Sequence, residues 1–298
     1  MKKIILSFAL ASASVFAKEP SVMHFDISEN RVEYNQKISD VRPLASITKL
    51  MTAMVSLDYD DDMNRLVELK PLASTSLPKR KYTRNDLFHA MLIRSDNGAA
   101  ETIASDYPGG RSKFIQAMNK KAQQLGMFST YFKDPTGLSI NNTSTAIDIS
   151  NMVIAASYYS IIRETSIKKQ AYFETQYKKR IRTIELRNTN RPILFEFDNI
   201  IISKTGFTNP AGWCVALMVE KKEKVVREEG FVDRMVRWIK QTPKEDDDYE
   251  IHRHVIVILG AKNKQDRIDK VKNIMYNEIL DNEVQESTDG HKTSNGQN

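Results

Sequence analysis

The chain has one cysteine, Cys214, in 298 residues. A lone cysteine excludes an intrachain disulfide framework and a metal site built on cysteine alone. The five histidines, His24, His89, His252, His254 and His291, are scattered rather than set at ligand spacing, so no structural metal is expected. No internal repeat is visible, which excludes solenoids and propellers. Beyond the first seventeen residues no uncharged run reaches the ~20 residues that a bilayer span needs. An excess of one charge sign is also largely lacking. There are 44 Lys and Arg against 38 Asp and Glu, a formal +6, with the two signs interleaved. A nucleic-acid binder would gather its basic residues in blocks or stripes, so nucleic acid is not expected as a partner.

What is present begins with an export signal. Lys2 and Lys3 precede an uncharged, mostly apolar stretch from Ile4 to Phe16, and Val15-Phe16-Ala17 leads into polar sequence at Lys18. Residues 1–17 therefore read as a secretory signal peptide. Its removal takes two lysines and lowers the formal charge from +6 to +4. Outside the cytoplasm Cys214 has no partner and is expected to be buried and inert. The body is expected over 18–280, with the polar residues 281–298 as a disordered tail.

Periodicity gives the elements. Ser21 to Ile27 and Arg31 to Tyr34 read as a hairpin around Ser28-Glu29-Asn30. Ser46 to Leu57 is apolar on nearly every side, the mark of a helix buried in the centre of a domain. Asn85 to Ile103, Lys113 to Leu125 and Thr145 to Tyr159 read as helices, with Asp134-Pro135-Thr136-Gly137 as a turn. Ile200 to Gly206, Trp213 to Val219 and His254 to Leu259 read as strands, and Lys264 to Leu280 as a closing amphipathic helix. The order predicts an α+β fold, a sheet flanked by helices with an all-helical subdomain inserted at about 60–150.

Three short motifs occur in order: Ser46-Ile47-Thr48-Lys49, Ser95-Asp96-Asn97 and Lys204-Thr205-Gly206. Together they form an active-serine signature. Each alone is weak, because Ser-x-x-Lys recurs at Ser76 to Lys79 and Ser166 to Lys169. Context favours Ser46. Three residues apart on a helix, its hydroxyl and the Lys49 amine share a face. Pro78 spoils that geometry in the second copy, and the third lies in a basic stretch with nothing to desolvate its lysine. To act as a base, Lys49 must be neutral near pH 7, and lowering a lysine by ~3 units costs about 4 kcal/mol. Burial beside Leu50 and Met51, plus a second cation at Lys204, are the available means. Ser95 and Asn97 sit at a helix–loop junction, where a hydroxyl can relay a proton and an amide can orient Lys49. On an edge strand, Lys204 and Thr205 can grip a substrate carboxylate, while Gly206 lets a backbone approach closely. The N–H groups of Ser46 and Phe207 are the expected oxyanion hole.

At these residues the chain resembles the low-molecular-mass penicillin-binding proteins, the serine D-alanyl-D-alanine peptidases that act on peptidoglycan. Arg42 to Ala53 is similar to the family's nucleophile block, and Asp134 to Leu138 with Ser144-Thr145-Ala146 and Asp148 to its middle signature. Arg187-Asn188-Thr189-Asn190 and Lys204 to Thr208 are similar to its later blocks, and the surroundings of Tyr107-Pro108-Gly109-Gly110 to the short D-alanyl-D-alanine endopeptidase branch. The resemblance implies a β-lactamase-like fold with an antiparallel sheet. It implies a periplasmic enzyme cleaving stem-peptide bonds after D-Ala through an acyl-enzyme on Ser46, with β-lactams as covalent inhibitors and no metal or organic cofactor. The implied roles are Ser46 as nucleophile, Lys49 as base, Ser95 and Lys204 in proton relay and electrostatics, and Thr205 on the substrate carboxylate.

One departure is the long stretch joining the last strands, an insertion at about 221–250. It carries Phe231, Val232, Met235, Val236 and Ile239 at helical spacing with Arg234, Arg237 and Lys240 between them. It reads as a surface helix packed on the body or, in the sharper alternative, a basic amphipathic helix touching a membrane surface. No C-terminal β-domain or anchoring helix like those of longer relatives is evident. Three rival readings remain open. A β-lactamase shares the triplets, but the turn at Asp134 offers no obvious glutamate to activate a deacylating water. A non-catalytic cell-wall or β-lactam-binding module would keep the pocket without turnover. A generic anion binder would use Lys178, Lys179, Arg180 and Arg182.

Overall fold

The computed structural model describes residues 19–70, 75–177, 180–224 and 249–280. The expected signal peptide, the 281–298 tail, Lys178 and Lys179, and the amphipathic part of the 221–250 insertion lie outside the described residues.

The chain opens with a hairpin, β1 (Ser21–Asp26) and β2 (Arg31–Gln36). Three strands come much later: β9 (Ile200–Thr208), β10 (Gly212–Lys224) and β11 (Tyr249–Ala261). They pair in the order β2-β1-β11-β10-β9, antiparallel throughout, which leaves β9 on an edge. The apolar runs of the inner strands have a simple cause. Along β10, Cys214, Ala216 and Met218 enter one core, while Val215, Leu217 and Val219 enter another. A sheet covered on both faces needs apolar residues at consecutive positions, not alternate ones. β10 and β11 run further than their apolar centres suggest and pair out to Lys224 and Tyr249. These outer ends are charged, which hides them from a hydropathy reading.

Between hairpin and later strands lies the helical part. β3 (Arg42–Pro43) leads into a 3-10 turn at Ala45–Thr48 and then α1 (Lys49–Tyr59), buried from Lys49 to Ser56. β4 (Leu66–Glu68) pairs with β5 (Lys81–Thr83), which runs into α2 (Arg84–Ile93). Next come α3 (Asn97–Ser105), α4 (Gly110–Gln124), β6 (Thr143–Ser144), α5 (Ala146–Ala156) and α6 (Ser160–Ser166). α1, α2, α3 and α5 fill the larger core against one sheet face. The second face is covered by α7 (Arg191–Glu196), α8 (Lys264–Ile274) and a π turn at Met275–Leu280. Among the described residues no helix is long and apolar enough to cross a membrane.

Three expectations need correction. The block at about 60–150 is not all-helical, because it holds the paired strands β4 and β5 and the short β6. The single helix predicted over Asn85–Ile103 is broken. Ser95 adopts φ +63°, a left-handed conformation that ends α2, and the Asp96 carboxylate caps α3 by accepting from Ala99 N at 2.9 Å. Residues 170–187, not read as strands, form a second hairpin of β7 (Gln170–Tyr177) and β8 (Arg180–Arg187). Its inward residues Ala171, Phe173, Ile184 and Leu186 alternate with polar ones, and that period of two is faint among so many charges.

Candidate active site

The nucleophile candidate is set by a tight backbone, not by a regular helix. Ser46 lies in the 3-10 turn, and the α-helix proper starts only at Lys49. Ala45, just before it, has φ +47°. Two glycines hold this turn from opposite sides. A Cβ on Gly137, itself at φ +85°, would stand 1.8 Å from Ala45 O. A Cβ on Gly206 would stand 2.9 Å from Leu44 O and 3.0 Å from Ser46 N. The expected role of Gly206, admitting a substrate backbone, is thus accompanied by another: it lets β9 press against the turn that carries Ser46.

Lys49 is fully buried, and its Nζ has three polar neighbours. Ser46 Oγ is at 2.8 Å, Asn97 Oδ1 at 2.7 Å and the Thr136 carbonyl oxygen at 2.6 Å. The Thr136 carbonyl was not anticipated. It is delivered by the turn at Asp134, whose Oδ1 accepts from Thr136 N, Thr136 Oγ1 and Gly137 N and whose Oδ2 accepts from Ser139 N. Burial would raise the Asp134 carboxyl, but these hydrogen bonds outweigh it and hold the group below its ordinary value. Thr52 Oγ1 donates to Pro135 O at 2.6 Å and so ties the turn to α1.

Burial pushes the Lys49 amine down to about 7, against the opposing pull of Asp134 and Asp96. The expectation that Lys204 would help depress it is revised: desolvation is the cause, and the net influence of the neighbouring charges is upward. Lys204 is itself buried and lies well below its ordinary value, first through burial and then through repulsion by Lys49. Its Nζ donates to Ser95 Oγ at 3.0 Å and to Thr205 O at 2.9 Å. The triplets thus form two contacts, Ser46–Lys49–Asn97 and Ser95–Lys204, on one cavity of about 520 Å³ lined by Ser46, Ser95, Thr205, Gly206 and Phe207.

Thr205 Oγ1 donates to Thr189 Oγ1 at 2.7 Å. Phe207 is 47% exposed and stacks on Trp213 at 4.4 Å, forming part of the cavity wall. Missed from the sequence is Arg267, on α8. Its side chain is 2% exposed yet lines the cavity, with Trp213 at 5.8 Å and Asn190 Oδ1 at 3.5 Å. Burial lowers it to about 10, so it keeps its charge at neutral pH, and among the described residues no carboxylate is ion-paired with it. Its only sequence signal was a basic residue inside an amphipathic helix, at a position flanked by Ile268 and Val271.

The duplicate motifs fall away. Ser166 is buried under the sheet, where its Oγ accepts from Ser203 N at 3.3 Å, and Lys169 is exposed. Ser76 donates to Asp96 Oδ2 at 3.1 Å, in the support of the α3 cap. Cys214 is buried, and burial raises its thiol to about 11, a protonated and unreactive form. Among the described residues no three His, Cys, Asp or Glu side chains gather in a way that could hold a metal ion.

Comparison with known proteins agrees with this geometry. A family model described as D-alanyl-D-alanine carboxypeptidase, Peptidase S11, matches residues 11–227. The D-alanyl-D-alanine endopeptidase of Escherichia coli K12 is 38% identical over 222 residues, covering 70% of this chain and 71% of the relative. That of Haemophilus influenzae is 32% identical over 214 residues, covering 69% of this chain and 72% of the relative. Among solved structures, penicillin-binding protein D2 from Listeria monocytogenes in its cefotaxime-bound form superposes with a TM-score of 0.65 at 25% identity, covering 86% of this chain and 94% of that one. The fold is that of the penicillin-binding DD-peptidases, and the chain belongs to the D-alanyl-D-alanine carboxypeptidase family of serine peptidases.

Proposed function

We propose that Ser46 is the nucleophile of a periplasmic peptidase that cleaves peptidoglycan stem peptides after D-Ala and is acylated by β-lactams. The observation that carries this reading is the valence of the Lys49 amine. A neutral amine has two N–H donors and one lone pair. Thr136 O and Asn97 Oδ1 can only accept, so they take the two donors. The lone pair is left for the Ser46 O–H at 2.8 Å, the arrangement of a general base beside its nucleophile. The depressed amine, about 7, makes the neutral form available.

Ser46 Oγ attacks the carbonyl carbon after D-Ala and its proton passes to Lys49 Nζ. The oxyanion of the tetrahedral intermediate is received by the N–H groups of Ser46 and Phe207. As the C–N bond breaks, the leaving amine takes a proton through Ser95 Oγ, which Lys204 Nζ contacts at 3.0 Å. Water then attacks the acyl-enzyme ester and Ser46 is regenerated. The carboxylate beside the scissile bond is met by Thr205 and by the buried guanidinium of Arg267, which has no ion-pair partner among the described residues. Slow deacylation of β-lactams is expected because the turn at Asp134 offers no obvious glutamate to activate water, and Asp134 itself is held by its own turn and does not line the cavity. The export segment at 1–17 supports the periplasmic location. Peripheral membrane contact through 231–240 is a subsidiary proposal resting on the basic amphipathic pattern, and liposome co-sedimentation of a 230–241 deletion tests it, unchanged partition counting against it.

The test of the main proposal is intact mass after incubation with benzylpenicillin. A long-lived adduct is expected on the mature protein and none on Ser46→Ala. A rapidly lost adduct would identify a β-lactamase, and no adduct at all would defeat the assignment. Product analysis on cross-linked muropeptides and pentapeptides then separates endopeptidase from carboxypeptidase action; the relatives named endopeptidases favour the former.

A further inference from the structure

The cavity beside Ser46 is lined by three cations, Arg267, Arg191 and Lys264, and by no carboxylate. They are arranged in depth. Arg267 is buried, Arg191 half-buried and Lys264 exposed. Lys264 stands one helical turn before Arg267 on α8, so the two share a face and step outward along it. Arg191 stands two residues beyond Thr189, whose hydroxyl receives the Thr205 hydrogen bond, and its guanidinium lies over the Phe195 ring at 5.1 Å. Among the described residues neither Arg191 nor Lys264 has an ion-pair partner. Glu185, which feels the Arg191 charge, is itself held by Arg187 at 2.9 Å.

A free D-Ala leaving group carries one carboxylate, and Thr205 with Arg267 already answers it. The outer cations then have nothing to bind. We propose that Arg191 and Lys264 are specificity-determining residues that receive a second carboxylate, carried at the far end of an extended leaving group. That leaving group is the acidic amine half of the bond that the endopeptidase reading already has the enzyme cleave; what is added here is the pair of residues that receive it. The inference rests on the peptidase reading above and deepens it. It places the two cations on the leaving-group side because both flank the Thr205–Arg267 end of the cavity.

The test compares two synthetic substrates, acyl-D-alanyl-meso-diaminopimelate acetylated at its distal amine, with the distal carboxyl either free or as the carboxamide. Wild-type protein should cleave the free acid with the higher kcat/KM, by about fivefold per cation at the upper end for exposed pairs, and through KM rather than kcat. In Arg191→Ala/Lys264→Ala the preference should collapse, and in Arg191→Glu/Lys264→Glu it should invert. Thermal melting confirms that each variant is folded. A wild-type enzyme indifferent to the distal carboxylate overturns the proposal, as does a double variant that keeps the preference or loses both substrates equally. Benzylpenicillin labelling of the wild type distinguishes the failures. If Ser46 is labelled and the preference is absent, only this inference falls; if Ser46 is not labelled, the peptidase reading falls with it.

Discussion

Two fully buried cations lie on neighbouring helices, and the protein treats them in opposite ways. Arg84 opens α2 and is 1% exposed. It donates to Ser56 Oγ at 2.9 Å and to the Asp60 backbone oxygen, with the Asp60 and Asp106 carboxylates at 3.7 and 3.9 Å. Arg65 braces the same two carboxylates. Burial lowers the Arg84 guanidinium, but an arginine with acidic neighbours stays charged. Lys49 opens α1 under comparable burial and contacts only a hydroxyl, an amide oxygen and a backbone carbonyl. The carboxylates that would hold it charged, Asp134 and Asp96, are occupied by a turn and a helix cap. Comparable burial therefore yields a structural ion cluster in one place and an amine depressed to about 7 in the other. The difference lies in what the nearest oxygens belong to.

Four experiments can break or sharpen this contrast. Replacing Lys49 by Met should slow penicillin acylation by about 10³-fold, within the range for general-base loss, and cost about 1–2 kcal/mol of stability by leaving the Thr136 and Asn97 oxygens without their donor. If stopped-flow labelling shows a fall below tenfold, Lys49 is not the base. Arg84→Met should act on stability alone. It should cost about 3 kcal/mol in urea unfolding by taking the donor from the Ser56 hydroxyl and the Asp60 backbone oxygen and one partner from the half-buried Asp60 and Asp106 carboxylates, with acylation of the folded fraction unchanged. Asn97→Asp puts a carboxylate in place of the amide oxygen at 2.7 Å and makes Lys49 more like Arg84. The amine should rise by ~1–3 units, so kcat/KM falls at pH 7 and is regained only in alkali. The smallest effect is in the unaltered protein. Lys49 works only when neutral, so kcat/KM should rise with pH through about 7. Lowering pH from 7 to 6 should then cost about fivefold, and a flat profile there would place the base elsewhere.

Much of the site was legible because its residues break local rules. A lysine after three isoleucines and a serine opening an all-apolar helix are anomalies with few bland explanations, and their order adds to them. The long apolar strands were legible for the opposite reason, as plain runs. What escaped notice carried no anomaly. Thr136 acts through its backbone carbonyl, and side-chain patterns say nothing about where a carbonyl points. Arg267 is one basic residue among many in α8. The hairpin at 170–187 alternates correctly, but its charged residues dilute the period.

The order of the three motifs and the α+β pattern follow from the amino-acid sequence, and so does the Ser46–Lys49 pair, because residues three apart face each other in a 3-10 turn as they do on an α-helix. What depresses the Lys49 amine was decided elsewhere. The turn at Asp134–Gly137 and the start of α3 had to meet around it, with Thr136 and Asn97 lying 87 and 48 residues away along the chain. Desolvation and donor count are properties of that enclosure, and no stretch of sequence has them until the chain closes.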